Sequence, residues 1–184
     1  MMLDDIEEVL FSEEVLRRRV AELGRQIAAD YADRAQEGIV LLAVLRGAAP
    51  FAADLARAID LPLELDFLRA SSYGMQAVSS GTVQVDSPAA EGFAGKHVIV
   101  VEDILDTGTT MAHLLQLPAF AQAASVAVAA LLVKENRPER RVSADYTGFS
   151  CPDAFMVGYG LDYAERYRNL PFIGSLKSEI YQHD

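Results

Sequence analysis

Three runs of strand length, Ile39–Leu45, His97–Val101 and Ser125–Val133, carry no charged side chain apart from what His97 contributes. A strand that is apolar on nearly every residue has no face to give to water, so both its faces must be covered. The stretches between these runs read as helices. Ser12 to Arg34 places Leu16, Val20, Leu23 and Ile27 on one side, with Ser12 available as a cap and Glu13 and Glu14 in the first turn. Pro50 can start a second helix running through Ala58, and a third is expected from about Thr110, shortened or kinked by Pro118. Strands alternating with helices predict an α/β fold with a central, mostly parallel sheet flanked by helices.

Other segments fill in this outline. Leu63–Leu68 is a further strand candidate, with Leu63, Leu65 and Phe67 alternating with Glu64 and Asp66. Ser71 to Gly81 turns to Ser, Gly and small polar residues, which predicts a mobile loop. From Asp145 onward, short apolar pieces, aromatics, Gly and Pro replace the strand-helix rhythm. That tail, residues 146–184 with residues 1–11, is expected to form a small hood on a core of about residues 12–145, all within one domain.

Composition removes some function classes. With 27 acidic against 16 basic side chains, the net charge of -11 opposes generic binding to nucleic acid or to an anionic membrane. The lone Cys151 excludes an internal disulfide and fits a reducing compartment. No apolar run reaches membrane-spanning length and no signal-like segment opens the chain, so a cytoplasmic protein is expected. His97, His113 and His183 lack the clustered spacing of a zinc site, and Cys151 beside Pro152 is expected to be a packed residue.

The chemistry concentrates in Val98 to Thr110. An apolar strand delivers Glu102 and Asp103, then Asp106, then Thr107-Gly108-Thr109-Thr110 leading into a helix. In a parallel sheet such groups lie at the carboxyl edge, where ligands bind. The hydroxyls, the glycine backbone and free N–H groups of this turn can cradle a phosphate monoester. Glu102 and Asp103 can accept hydrogen bonds from sugar hydroxyls, leaving Asp106 available as a base. Three acids and this turn in this order point to a ribose-phosphate site.

The same segment resembles the phosphoribosyl-pyrophosphate motif of type I phosphoribosyltransferases: apolar strand, two acids, two apolar residues, acid, Thr, Gly, any residue, Thr. Leu45-Arg46-Gly47 is similar to that family's pyrophosphate loop, and Ser71-Ser72-Tyr73-Gly74 to its mobile loop. Leu131-Leu132-Val133-Lys134 and Val157 to Tyr163 resemble the base-recognition elements of its hypoxanthine-guanine branch.

The resemblance implies a set of roles. Glu102 and Asp103 would bind the ribose hydroxyls; these two and Asp162 would be Mg²⁺ ligands, and Asp162 would also lie beside the purine. Asp106 would be the catalytic acid-base group near N7, and Thr107, Gly108, Thr109 and Thr110 would hold the 5′-phosphate. Arg46, Gly47 and Arg168 would contact pyrophosphate, and Ser72 and Tyr73 would close over the reacting centre. Lys134, Phe155 and Met156 would read the base, by a donor to the exocyclic oxygen, by stacking and by backbone groups. The implied activity is transfer of phosphoribose to a 6-oxopurine in purine salvage, by a homodimer or homotetramer. Adenine or xanthine transfer, and a regulatory nucleic-acid-binding protein on the same fold, are the alternatives; the acidic charge and the presence of Asp106 weigh against the last. The stretch Lys134 to Arg141 is longer than the family pattern implies, and either Leu45–Arg46 or Arg46–Gly47 is the candidate for a cis peptide.

Overall fold

The structure, a computed structural model, describes residues 1–69 and 93–181. The expected mobile loop with Ser72 and Tyr73, and also His183, lie outside the described residues. The chain runs through β1 (Ile6–Phe11), α1 (Glu13–Tyr31), β2 (Ile39–Leu45), α2 (Ala49–Ala58) and β3 (Glu64–Arg69). It continues as β4 (His97–Leu105), α3 (Thr109–Leu114), β5 (Ser125–Lys134) and β6 (Tyr146–Cys151). Two short strands, β7 (Met156–Val157) and β8 (Ile173–Leu176), precede α4 (Ser178–Tyr181).

Five strands form one parallel sheet in the order β3-β2-β4-β5-β6. Period-two alternation decides the layers. Ile39, Leu41 and Ala43 of β2 pack with Leu16, Val20, Leu23 and Ile27 of α1 and with Phe51 and Leu55 of α2. Val40, Leu42 and Val44 face the other way, toward Met111 and Leu114 of α3 and toward Phe93 and Phe120. The apolar runs are therefore covered on both faces, as their composition demanded. Helices α1 and α2 approach so closely that a Cβ on Gly24 would overlap the Ala58 carbonyl.

Local signals place most boundaries. Ser12 caps α1, its hydroxyl accepting from the Val15 N–H at 3.4 Å. The helix ends at Tyr31, short of Arg34, and a 3₁₀ turn over Ala32–Glu37 carries the chain to Gly38. Helix α3 begins at Thr109 and lasts six residues; Pro118 opens a separate 3₁₀ turn instead of kinking a longer helix.

Three expectations change. Strand β4 does not stop at Val101: pairing of Glu102 with Ala130 and of Leu105 with Val133 carries it through the acids. Tyr146–Cys151 pairs with β5 in the parallel sheet, so it falls on the sheet side of the boundary expected at residue 145. At the sheet edge, β3 buries Leu68 but leaves Leu65 and Phe67 exposed, so its alternation does not sort core from solvent. A second, antiparallel sheet in the order β1-β8-β7 joins the two ends of the chain. Among the described residues no helix is long and apolar enough to cross a membrane.

The strand order sets the site. After β2 the chain makes β3 on one side, then returns to the other side of β2 as β4. The carboxyl ends of β2 and β4 thus border the point where the sheet reverses direction, the usual ligand crevice of an open α/β fold.

Candidate active site at the strand ends

At the end of β4 the chain turns through Asp106, Thr107 and Gly108 into α3. Gly108 has φ of 71°, a left-handed conformation that a side chain would resist, and a Cβ there would also press on Val142. The Thr107 and Thr109 hydroxyls lie 3.1 Å apart. The main chain of Arg141 donates to the Thr107 carbonyl at 2.9 Å, so the segment after β5 is fastened to this turn.

Glu102 and Asp103 fold back on the backbone, accepting from the N–H groups of Asp103 at 3.2 Å and Ile104 at 2.8 Å. Burial, and then the neighbouring Asp103 charge, push Glu102 well above the ordinary carboxylate range. Across the crevice, the loop after β2 begins with a cis peptide between Leu45 and Arg46. Gly47 is wedged in place: a Cβ on it would overlap the Asp103 carboxylate, and a Cβ on Gly160 would overlap its carbonyl. The Arg46 loop, the acid pair and the loop after β7 therefore meet at Gly47.

That third loop supplies a charged cluster. Asp162 Oδ1 pairs with Arg168 Nη2 at 2.8 Å, and its Oδ2 accepts from the Glu165 N–H at 2.9 Å. Arg168 Nη1 donates to the Gly160 carbonyl at 2.7 Å, while its buried Nε has no partner among the described residues. Glu165, which the sequence reading did not single out, accepts from Arg46 at 2.7 Å and Arg168 at 3.3 Å through one oxygen. Arg168 first, and Arg46 with it, hold Glu165 below its ordinary range against the opposing effect of lost solvation. Two guanidinium groups converging on one oxygen is the arrangement a pyrophosphate oxygen would use.

On the other side of the phosphate turn lies a ring of four charges. Asp106 accepts from Arg137 Nε at 2.5 Å and faces Lys134 Nζ at 3.4 Å. Asp153 accepts from the same two cations, at 2.7 Å from Arg137 and 2.8 Å from Lys134. The Arg137 hydrogen bond holds Asp106 below the ordinary range, and Arg137 then Lys134 bring Asp153 down to about 2. Lost solvation lowers Lys134, but Asp153 and Asp106 outweigh it and leave the ammonium above its ordinary value. Lys134 and Asp106 were expected from sequence; Arg137 and Asp153 were not, because loop charges carry no periodic signal.

Phe155 is 39% exposed, stacked on Tyr181 at 4.9 Å and edge-on to Tyr163 at 5.3 Å. Met156 is buried and paired with Ser175 in the small sheet. Cys151 is buried and its thiol pushed up to about 11, which removes it as a nucleophile. His97 is a core residue bonded to Ser125 at 2.7 Å. Among the described residues no group of three or more His, Cys, Asp or Glu is placed to hold a metal by itself. The carboxylates of Glu102, Asp103 and Asp162 are hard donors of the kind Mg²⁺ takes, but the three are not grouped to share one ion.

Residues 12–164 match the family model described as a phosphoribosyl transferase domain. The chain belongs to the phosphoribosyl transferase family. It is 45% identical over 182 residues to the hypoxanthine-guanine phosphoribosyltransferase of Bacillus subtilis, covering 99% of both chains. The enzyme of the same name from Streptococcus pneumoniae is 42% identical over 183 residues, with both chains covered completely. A crystal structure of a hypoxanthine phosphoribosyltransferase from Staphylococcus aureus superposes with a TM-score of 0.88 at 41% identity, covering 99% of this chain and 97% of that one. The parallel sheet with its flanking helices and small antiparallel sheet is the type I phosphoribosyltransferase fold.

Proposed function

We propose that this phosphoribosyltransferase moves the 5-phosphoribosyl group of phosphoribosyl pyrophosphate to N9 of hypoxanthine or guanine, releasing pyrophosphate, in purine salvage. The observation that carries the reading is the pair formed by Lys134 Nζ and Asp106 Oδ2, a donor and an acceptor 3.4 Å apart beside the phosphate turn. A 6-oxopurine protonated at N7 offers the complement on one edge, an acceptor at O6 and a donor at N7.

In this mechanism Thr107 to Thr110 hold the 5′-phosphate, and Glu102 and Asp103 take the ribose hydroxyls. Phe155 stacks on the base while Met156 meets its edge through the backbone. Arg46, the Gly47 backbone and Arg168 take the pyrophosphate, displacing Glu165 from the two guanidinium groups. Charge builds on the departing pyrophosphate as the anomeric carbon becomes cationic, and fixed donors aimed at that charge lower the barrier. Asp106 receives or stabilises the N7 proton as the N9 bond forms. Asp162 on one side of the crevice, and Glu102 and Asp103 on the other, would hold Mg²⁺ with substrate oxygens, and the metal would supply further neutralisation of the leaving group. A cytoplasmic setting and a homodimer or homotetramer belong to the same reading; for the first, the lone free Cys151 fits a reducing compartment.

The test is a base panel with phosphoribosyl pyrophosphate and Mg²⁺, following nucleotide formation. Adenine places an amino donor against the Lys134 ammonium, so it is expected to react at least about 100-fold less efficiently than hypoxanthine or guanine. Chelation should stop the reaction, and added Mg²⁺ should restore it. Comparable use of adenine would refute the base assignment, and full activity in excess chelator would refute the metal.

A further inference from the structure

We infer that Arg137 is a positioning residue, which orients Asp106 so that one carboxylate oxygen faces the purine beside Lys134. The inference rests on the reading that Asp106 and Lys134 face the base. Asp106 is 43% exposed on its side chain and stands on a turn, so nothing in its own backbone fixes its rotamer. Lys134 alone is a weak guide, at 3.4 Å and on a flexible stem. Arg137 is different: its planar group takes Asp106 Oδ1 at 2.5 Å through Nε and Asp153 Oδ2 at 2.7 Å through Nη2. With Oδ1 committed, Oδ2 is the oxygen left next to Lys134.

The backbone around Arg137 is itself held. Asn136 adopts φ of 53°, turning the chain back over Asp106 immediately after β5. Arg140 Nε donates to the Asp106 carbonyl at 3.1 Å and its Nη2 to the Lys134 carbonyl. Arg137 is only 20% exposed on its side chain, unlike a solvated surface pair whose contribution would be small. Asp153 closes the ring, so two cations and two carboxylates neutralise one another and Lys134 keeps a proton free for the base.

The experiment is a double-mutant cycle between Arg137 and Asp106, read as kcat/KM for hypoxanthine and as KM for phosphoribosyl pyrophosphate. Arg137→Met is expected to lower kcat/KM about tenfold, as for a reacting group displaced by a fraction of an ångström. The KM for phosphoribosyl pyrophosphate should stay within about twofold, because the phosphate turn is untouched. In an Asp106→Asn background the same substitution should change kcat/KM by less than about twofold, since its effect passes through the carboxylate. Arg137→Gln, whose shorter amide cannot span Asp106 and Asp153, provides a second variant should the Met protein unfold at a lower temperature. An unchanged kcat/KM in either variant, or an equal loss in both backgrounds, overturns the inference. A wild type that transfers phosphoribose to no purine is a different result, which removes the functional reading beneath it.

Discussion

Replacing Asp106 by Asn is expected to lower kcat by about 10²- to 10⁴-fold while binding of phosphoribosyl pyrophosphate survives. A positioned acid-base group contributes on that scale, and the amide can neither take a proton nor stabilise one at N7. The ring adds to the loss. With Asp106 neutral, Arg137 and Lys134 are left with Asp153 as their sole described counter-charge, and a local excess of positive charge opposes a protonated base. Stability should change little, because the Asp106 side chain is nearly half exposed and the turn keeps its backbone bonds to Arg140 and Arg141. Steady-state kinetics with titration calorimetry of phosphoribosyl pyrophosphate separates the two effects. A kcat within about threefold of wild type would remove Asp106 from proton handling.

Gly47→Ala is expected to be nearly as damaging by a different route. The added methyl group would occupy the place of the Asp103 carboxylate. On its other side the loop is already in close approach, its Gly47 carbonyl lying where a Cβ on Gly160 would be. Asp103 must therefore rotate out, taking from the crevice the carboxylate proposed to face the sugar. Misplacement of a binding group by about 1 Å costs on the order of 10²-fold, and kcat/KM for phosphoribosyl pyrophosphate should fall by about that factor or more. The thermal midpoint should fall far less steeply, since no buried apolar contact is lost. Ordinary kinetics in a folded Gly47→Ala protein would show that the carboxylate and the loop do not share this space.

What could be read in advance depended on how local each signal was. The turn from β4 into α3 was legible because strand, acids, Thr and Gly follow one another within a dozen residues. The layers around β2 were legible from apolar runs that admit no other cover. The extent of β4 was not, because charged residues at its end resemble a turn until pairing with Ala130 to Val133 is known. Tyr146 to Cys151 has too mixed a composition to announce a parallel strand; its place depends on the free edge that β5 offers. Glu165, Arg137 and Asp153 were invisible for a related reason. Each is one loop charge among several, with a partner well away along the chain, as with Arg46 for Glu165, so only the assembled crevice singles it out.

The antiparallel sheet has a consequence for how the enzyme comes into being on the ribosome. Ile6 pairs with Leu176 and Phe11 with Ile173, so β1 must wait for a partner made almost a full chain length later. At about 5–20 residues per second, that wait is on the order of ten to thirty seconds. Meanwhile β1 has an open edge on which Val9, Leu10 and Phe11 would invite foreign strands, and Glu7 and Glu8 discourage such pairing. The parallel sheet can form first, since its strands pair over shorter separations. Met156 pairs with β8, the strand on which β1 also closes, so the residue proposed to meet the base is seated only once the last strand has been made. A nascent chain stalled before Ile173 would carry a phosphate turn and the acid pair, yet no completed seat for a purine.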